Sequence, residues 1–363
     1  MSSLPLSQPP HSLCILRLSA IGDTTHMVPI VRAIQRHWPL CKITWVIGKA
    51  EHQLMRYVDG VEFIIFNKRD GWQAWNHFRQ LMKKRQFDVL LHMQAALRAS
   101  SLALCIPAPI KLGFDKSRAI DYQWLFSNQR IAADANQHVL QGFLGFAKAL
   151  GVPAGELNWR FAVPEDIRNE AAKKLAGSYS DSKTPEAVKA YAVINACSSA
   201  RKNNWRNWPA SYYPAVIKQL SERGLTTVLT GGPDAIERSF AAEIEAHSEV
   251  RLINLVGKTS LPELYSIIEG AKLMIAPDTG PAHMGSLANT PTIGLYASSN
   301  PERTGPYRWQ NLTVNKYPQA LQSHMNKAVS QVPWGQRVRH ALVMSEISVV
   351  DVVEKIDLIL TDH

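Results

Sequence analysis

Residues 273–284 carry the sequence LMIAPDTGPAHM, which predicts a short buried strand, a sharp turn and the start of a helix. Asp278 or Thr279 can cap that helix, and Pro281 suits its first turn, where a missing N–H costs nothing. Gly280 leaves the backbone open to close approach. Because a helix start presents unpaired N–H groups and the positive end of a dipole, this turn is a candidate site for an anion such as a diphosphate. An ordinary capped helix in an α/β domain explains the same residues equally well.

Short apolar runs alternate with amphipathic helical patterns on both sides of this stretch. That alternation predicts an α/β fold of two doubly wound, Rossmann-like domains, each with a mostly parallel sheet and helices on both faces. We expect a disordered tail at 1–12, a first domain at 13–165, an interdomain segment at 166–188, a second domain at 189–342 and a final helix at 343–363.

The composition limits the classes of partner. The 363 residues include 40 Lys and Arg against 30 Asp and Glu, and the resulting net charge of +10 favours anionic partners. Nucleic acid is disfavoured because the sequence shows no basic, aromatic-interleaved strand or recognition helix. No apolar run approaches the roughly 20 residues that span a bilayer, so we expect a protein that is soluble or peripherally attached to a membrane. The four cysteines lack metal-ligand spacing and are expected to be buried free thiols in a reducing cytoplasm.

Ligands of doubly wound sheets bind at the carboxyl ends of the strands. The first loop of this kind, residues 19–23, ends in Gly22 and Asp23 at a predicted helix start. It lacks the GxGxxG fingerprint, which disfavours a nicotinamide-dependent dehydrogenase. Asp23 is either a plain helix cap or a carboxylate aimed at the ligand, and a helix start would keep it ionised, as a base requires.

A second loop combines positive charge with aromatic residues. It begins with Ser198, places Arg201, Lys202 and Arg206 within six positions, and includes two tryptophans. Such a loop is either a solvated surface or a cationic partner for a diphosphate.

A third loop, residues 230–237, contains Gly231 and Gly232, which permit close backbone approach. Its carboxylates, Asp234 and Glu237, could accept hydrogen bonds from ribose hydroxyls, although Gly-Gly-Pro is also an ordinary turn. His283 lies one turn into the helix of the opening stretch and points towards the same ligand, yet a lone histidine is more often structural. The sequence carries no metal-binding signature and no P-loop.

Together these motifs resemble the ADP-heptose:lipopolysaccharide heptosyltransferases, which are GT-B glycosyltransferases of family 9. The resemblance is carried, in family order over residues 13 to 300, by Ile21-Gly22-Asp23, Arg206-Asn207-Trp208-Pro209, Gly231-Gly232-Pro233 and Pro277-Asp278-Thr279-Gly280-Pro281-Ala282-His283. It implies two Rossmann-like domains facing a central cleft, with the acceptor on the first domain and the nucleotide sugar on the second. It also implies a final helix that packs back on the first domain.

The resemblance further implies an inverting transfer of heptose from ADP-heptose, without a metal or other cofactor. The implied acceptor is acidic, the Kdo of the inner core of lipopolysaccharide carried on lipid A. The implied location is cytoplasmic, with the protein peripheral on the cytoplasmic face of the inner membrane. In this scheme Asp23 is the general base, and the cationic loop and the helix start meet the leaving diphosphate.

The resemblance assigns further residues by position. Members often carry Lys where this chain has Arg206, so either Arg206 or Lys202 can meet the diphosphate. The acceptor is expected near Gly22, Arg98, Lys111 and Arg118, although these charges also fit a solubilising surface. The donor is expected on the following residues of the second domain: Ser198, Gly231, Gly232, Asp234, Glu237, Asp278, Thr279, Gly280 and His283.

Two alternatives remain open at this point. The same fold could transfer a different sugar, because the motifs contact phosphate and ribose more than the sugar ring. The chain could also be a non-catalytic protein that binds a nucleotide sugar on a GT-B fold.

Overall fold

The computed structural model describes residues 4–153, 155–179, 188, 190–198 and 204–361. The chain divides into two units, Met1–Ala162 and Val163–His363. Lys202 and its neighbours at 199–203 therefore lie outside the described residues.

The first unit is built on a parallel sheet. Its described strands are β1 (Ser12–Leu16), β2 (Lys42–Gly48), β3 (Val61–Phe66), β4 (Val89–His92), β5 (Ile110–Gly113) and β6 (Gln129–Arg130). Its described α-helices are α1 (Ile21–Thr25), α2 (Met27–His37), α3 (Lys49–Met55), α4 (Gly71–Met82), α5 (Leu97–Cys105) and α6 (Val139–Leu150), with short 3₁₀ helices at Lys68–Asp70 and Gln123–Leu125. The strand order is β3-β2-β1-β4-β5-β6. The direction of winding reverses between β1 and β4, and ligands of doubly wound sheets bind at such a point.

The second unit repeats this plan. Its described strands are β7 (Tyr191–Asn195), β8 (Thr226–Thr230), β9 (Ile253–Asn254), β10 (Leu273–Pro277), β11 (Thr292–Tyr296) and β12 (Val314–Asn315), in the order β12-β11-β10-β7-β8-β9. Its described α-helices are α7 (Glu165–Tyr179), α8 (Tyr213–Glu222), α9 (Ala235–Ala246), α10 (Leu261–Glu269), α11 (Gly280–Ala288), α12 (Pro301–Thr304), α13 (Tyr317–Met325) and α14 (Val349–Thr361). Short 3₁₀ helices lie at Ala210–Tyr212, Tyr307–Leu312, Val329–Gln331 and Val343–Glu346.

The central strands are continuous apolar runs because helices cover both faces of a parallel sheet. All five residues of β10 are buried, and so are those of β7 and β11 on either side of it. The opening stretch of the sequence is thus the centre of the second sheet, and α11 leaves it at the point where the strand order reverses. The doubly wound α/β fold predicted from the sequence is confirmed for each unit.

Three details of the structure bear on the predicted domain organisation. The start of the chain is ordered from residue 4, since the Leu6 N–H donates to the Leu150 carbonyl at 3.1 Å and β1 begins at Ser12. The expected interdomain segment begins as α7, which packs within the second unit: Lys174 Nζ lies 2.8 Å from the Glu263 carboxylate. Residues 180–187 of that segment lie outside the described residues.

The third detail is the final helix. Its buried residues Val352, Ile356 and Ile359 join the core of the second unit, and α14 packs against α8, β11 and β12. The buried face of this helix therefore contributes to the core of the second unit. Among the described residues, no helix is both long and apolar enough to cross a membrane.

Candidate active site

Asp23 lies in the first turn of α1, directly after the carboxyl end of β1. Its Oδ2 is ion-paired with the Arg17 guanidinium and accepts a weaker bond from the Ala20 N–H at 3.4 Å. Arg17 is buried, and its Nη1 donates to the Met93 carbonyl at 2.6 Å. About a third of the Asp23 side chain stays exposed. The carboxylate is therefore held by a fixed cation while it remains accessible, which goes beyond a plain helix cap.

The turn before Asp23 is fixed from the neighbouring strand. Gln94 follows β4, and its Oε1 accepts from the Leu18 N–H at 2.7 Å and the Ser19 N–H at 3.3 Å. Gly22 is buried in the same first turn, where its carbonyl accepts from the Thr25 hydroxyl at 2.7 Å. The backbone around Asp23 is thus rigid, as a positioned catalytic group requires.

The three cations expected to contact the acceptor differ in their surroundings. Arg118 is ion-paired with buried Asp115 and donates to the Ala132 carbonyl at 3.2 Å. Lys111 donates to the Ala103 carbonyl at 2.7 Å near the end of α5, and burial lowers its pKa. Arg98 is exposed in the first turn of α5, and within the described part of the chain its side chain makes no hydrogen bond or ion pair. Among the described residues, Arg98 is thus the one of these three cations whose side chain is not already bonded to a neighbouring residue.

The start of α11 has the geometry that the sequence predicted. Thr279 is the N-cap, and its Oγ1 accepts from the Ala282 N–H at 3.4 Å. Gly280 and Pro281 open the helix, and His283 is buried one turn further in. A nine-residue helix begins here at the carboxyl end of a central strand, with its N–H dipoles at that edge of the sheet.

Asp278, which we expected to bind the donor, holds positive charge at this helix start. It is buried, and its Oδ2 accepts from the Ser299 hydroxyl at 3.0 Å. The same oxygen lies 3.6 Å from Arg206 Nη1 and 3.8 Å from Arg337 Nη2, and Arg206 Nη1 also donates to the Asp278 carbonyl at 2.9 Å. One carboxylate thus orients two guanidinium groups, which leaves a net positive charge where α11 begins.

Arg337 was not predicted as a site residue, because no motif surrounds it in the sequence. It reaches α11 because the chain after α13 returns to the edge of the sheet. There Arg337 and Ser299 form an antiparallel β-bridge, and the Val338 N–H donates to the Ser298 carbonyl at 2.9 Å. Burial lowers the pKa of Arg337, Asp278 opposes that change, and the charge of Arg206 adds to it. An arginine keeps its charge at neutral pH in spite of such a shift.

The cationic loop before α8 is anchored at both ends. The Ser198 N–H donates to Asn207 Oδ1 at 2.8 Å, and the Ser198 hydroxyl bonds to Asn204. Trp208 is fully buried, and its Nε1 donates to the Ile347 carbonyl at 3.0 Å. These contacts fix the backbone on either side of Arg206.

The glycine loop after β8 is closed by its own carboxylate. Glu237 Oε2 accepts from the Gly232 N–H at 2.6 Å, and burial raises the pKa of Glu237. Asp234 caps α9 by accepting from the Ile236 N–H at 2.8 Å. A Cβ at Gly231 or Gly232 would lie 2.9 Å from a Glu237 oxygen, so both glycines are needed for this closure. Beside the loop lies a small cavity of about 10 Å³, lined by Ala196, Cys197, Leu229, Thr230, Gly231, Glu237, Phe240, Ala241 and Val256.

Among the described residues, no group of three or more His, Cys, Asp or Glu side chains is placed to hold a metal ion.

Comparison with known proteins places these features in a family. The sequence model of glycosyltransferase family 9 (heptosyltransferase) matches residues 75–332. The lipopolysaccharide core heptosyltransferase OpsX of Haemophilus influenzae is 35% identical over 351 residues, which cover 96% of this chain and 97% of that protein.

Solved structures agree on the fold. The crystal structure of a family 9 glycosyl transferase from Veillonella parvula has a TM-score of 0.79 at 21% identity and covers 97% of this chain and 98% of its own. The Escherichia coli heptosyltransferase WaaC with ADP has a TM-score of 0.69 at 19% identity, with coverage of 96% and 99%. The whole chain therefore has the GT-B fold of these proteins, and it belongs to glycosyltransferase family 9, the heptosyltransferase family.

Proposed function

We propose that this protein transfers heptose from ADP-heptose to the Kdo of the inner core of lipopolysaccharide, at the cytoplasmic face of the inner membrane. The Haemophilus influenzae relative supports the lipopolysaccharide core as acceptor by its name. The Escherichia coli WaaC structures support the donor, since their titles give ADP and ADP-2-deoxy-2-fluoro heptose. The observation that carries the proposal is the start of α11 flanked by Arg206 and Arg337, because a helix start beside two guanidinium groups is a positive site that suits a diphosphate.

The donor diphosphate lies on the first turn of α11 in this proposal. Backbone N–H groups at Thr279 and Gly280 donate to it, and Arg206 and Arg337 supply the charge that a divalent cation would otherwise supply. Asp278 keeps both guanidinium groups in place. His283 presents a polar side chain to the donor one turn into the helix. The hydrogen bond between Ser198 and Asn204 holds the loop that carries Arg206.

The nucleoside lies along the glycine loop after β8. The ribose hydroxyls donate to the carboxylates of Glu237 and Asp234, each of which has one oxygen already used by a backbone N–H. Gly231 and Gly232 let the backbone approach the ribose.

Asp23 acts as the general base. Its carboxylate takes the proton from the acceptor hydroxyl, whose oxygen attacks the anomeric carbon of the heptose. The bond between that carbon and the β-phosphate oxygen breaks on the opposite side, so the configuration inverts and ADP leaves. The negative charge that grows on the diphosphate is met by Arg206, Arg337 and the α11 dipole.

Arg98 is the acceptor cation that we favour, because it is exposed and uncommitted. It would pair with the Kdo carboxylate beside Gly22 and Asp23. Arg118 and Lys111 support that surface from within through Asp115 and the Ala103 carbonyl.

The test is nucleotide release with a panel of donors and with Kdo-lipid A as acceptor. We expect release that requires both ADP-heptose and acceptor, resists EDTA, and gives a product of inverted anomeric configuration by NMR. Equal or faster release from a UDP-sugar would reject the donor. ADP binding without transfer to any acceptor would instead identify a non-catalytic nucleotide-sugar-binding protein.

A further inference from the structure

Exposed apolar side chains are concentrated in two segments of the first unit that are close in sequence, α5 and residues 120–125. Six of the thirteen large hydrophobic side chains that are exposed in the described residues fall between residues 97 and 125, and the other seven are spread over the rest of the chain. We call these six the apolar patch: Leu97 (59% exposed), Leu104 (63%), Ile120 (62%), Tyr122 (66%), Trp124 (44%) and Leu125 (61%). Soluble proteins seldom expose such a group without a partner for it.

The two segments of the patch are joined at the start of α5. Leu97 and Leu104 are seven residues apart in α5 and so lie two turns apart on the same face. The segment 120–125 is joined to the start of that helix, because the Leu97 N–H donates to Asp121 Oδ2 at 3.4 Å.

A buried anchor presents the exposed side chains outwards. Gln123 is fully buried between Tyr122 and Trp124, its Nε2 donates to the His92 carbonyl at 2.7 Å, and its Oε1 accepts from the Phe114 N–H at 3.2 Å. The backbone of the patch is thus fixed to the ends of β4 and β5 while its apolar side chains face solvent. A segment that merely failed to pack would lack this anchor.

Leu97 and the segment 120–125 lie at the edge of the sheet that carries Asp23, whereas Leu104 lies at the far end of α5. The strand order places β4 beside β1 and β5 beside β4, and parallel strands end at the same edge. The patch follows β4 and β5, and Asp23 follows β1.

The charges around the patch are mostly positive. Arg98 and Lys116 are exposed beside it, whereas the carboxylate of Asp121 accepts from the Leu97 N–H. Amphipathic rings such as those of Trp124 and Tyr122, set among aliphatic side chains and cations, match the headgroup region of an anionic bilayer.

We propose that the apolar patch docks this protein on an anionic lipid bilayer, with its side chains inserted at the level of the headgroups. This docking site adds to the proposed function, and it rests on that function only in that the proposed acceptor is anchored in a lipid membrane. Docking through this surface would hold Asp23 close to the sugars of a lipid-anchored acceptor.

The experiment is co-sedimentation of the full chain with phosphatidylglycerol/phosphatidylethanolamine vesicles and with phosphatidylcholine vesicles. We expect wild type to bind the anionic vesicles, and to bind them less as salt is raised. Tyr122→Ser/Leu125→Ser and Trp124→Ser should each weaken the partition by about tenfold or more, since each change removes apolar area from the contact. Lys116→Glu should weaken it by a few-fold at low salt.

Trp72→Ser is the matched control, because Trp72 is an exposed tryptophan (77%) on α4, outside the patch. It should bind vesicles as wild type does. Thermal unfolding of every variant at the wild-type temperature would show that the fold is intact. Wild type that does not bind anionic vesicles, patch variants that bind normally, or a control that loses as much as they do would each overturn the proposal. So would a solution dimer that the patch variants dissociate, since the patch would then join two copies of the chain.

An activity measurement separates this proposal from the proposed function. Patch variants should transfer sugar to a deacylated, water-soluble acceptor at the wild-type rate, and more slowly to the same acceptor embedded in vesicles. If no protein transfers heptose at all, the proposed function fails, while the vesicle measurement still decides the role of the patch.

Discussion

Replacement of Arg206 by alanine tests the proposed diphosphate site most directly. The guanidinium is mostly buried, with 21% of the side chain exposed, and Nη1 is held 2.9 Å from the Asp278 carbonyl. In the described residues its contacts with Asp278 use Nη1 alone, which leaves Nη2 and Nε to donate to an anion. A hydrogen bond between charged groups contributes about 1.5–3 kcal/mol, so kcat/KM should fall by roughly 10- to 150-fold.

The ranking of three variants sharpens that prediction. Arg337→Ala should cost only about 2- to 5-fold, because 45% of its side chain is exposed and water screens its charge. Arg206→Lys should fall between the two, since an ammonium keeps the charge but cannot bond the Asp278 carbonyl and a phosphate in one plane. Kinetics with varied donor at saturating acceptor would measure all three.

Arg85→Ala is the matched control. Arg85 is also a mostly buried arginine, with 27% of the side chain exposed, and it pairs with Glu62 in the first unit. It should keep donor kinetics within about twofold. The reasoning is refuted if Arg206→Ala keeps wild-type kcat/KM for the donor, or if Arg337→Ala is the more damaging change.

Three further predictions concern other parts of the chain. Asp23→Asn should lower kcat by about 10²- to 10⁴-fold and leave the ADP affinity measured by calorimetry unchanged. The control is Asp70→Asn, a change of an exposed carboxylate that should alter neither quantity. A kcat of Asp23→Asn within tenfold of wild type would contradict the assignment of Asp23 as the base. Gly285→Ala should lower the free energy of unfolding by about 1–3 kcal/mol in urea melts, because its Cβ would overlap the Thr292 hydroxyl, and Thr292→Ala should restore part of the loss if that overlap is the cause. Burial lowers the pKa of His92 to about 4, below the 6.5 of the unfolded chain, so the unfolded state binds the proton first and stability should fall by up to about 3 kcal/mol as pH drops from 6.5 to 4. His92→Leu should show a smaller loss over that pH range, and an identical loss would exclude His92 as its source.

Local sequence signals were sufficient for the elements around the opening stretch. An apolar run followed by Thr279, Gly280 and Pro281 specifies a strand, a cap and a first helical turn within a few residues. The structure has that strand, cap and helix at the predicted places. Where the chemistry of a feature is contained in neighbouring residues, as it is here, sequence reasoning can find it.

The contacts of that stretch could not be predicted in the same way. The partners of the Asp278 side chain, Arg206, Ser299 and Arg337, are between 21 and 72 residues away along the chain. Arg337 lies in an irregular segment without periodicity or motif, so nothing near it in the sequence marks it as part of a site. The Asp23 ion pair was easier to predict from the sequence, because Arg17 is a charged residue at the end of an apolar run and a buried charge needs a partner.

The bond from the Trp208 indole to the Ile347 carbonyl has a consequence for the newly made chain. A nascent chain that ends before residue 330 already contains α11 and its cap, yet it has neither Arg337 nor the carbonyl that holds Trp208 beside Arg206. The positive site at the start of α11 is therefore completed only when the last tenth of the polypeptide has left the ribosome and folded.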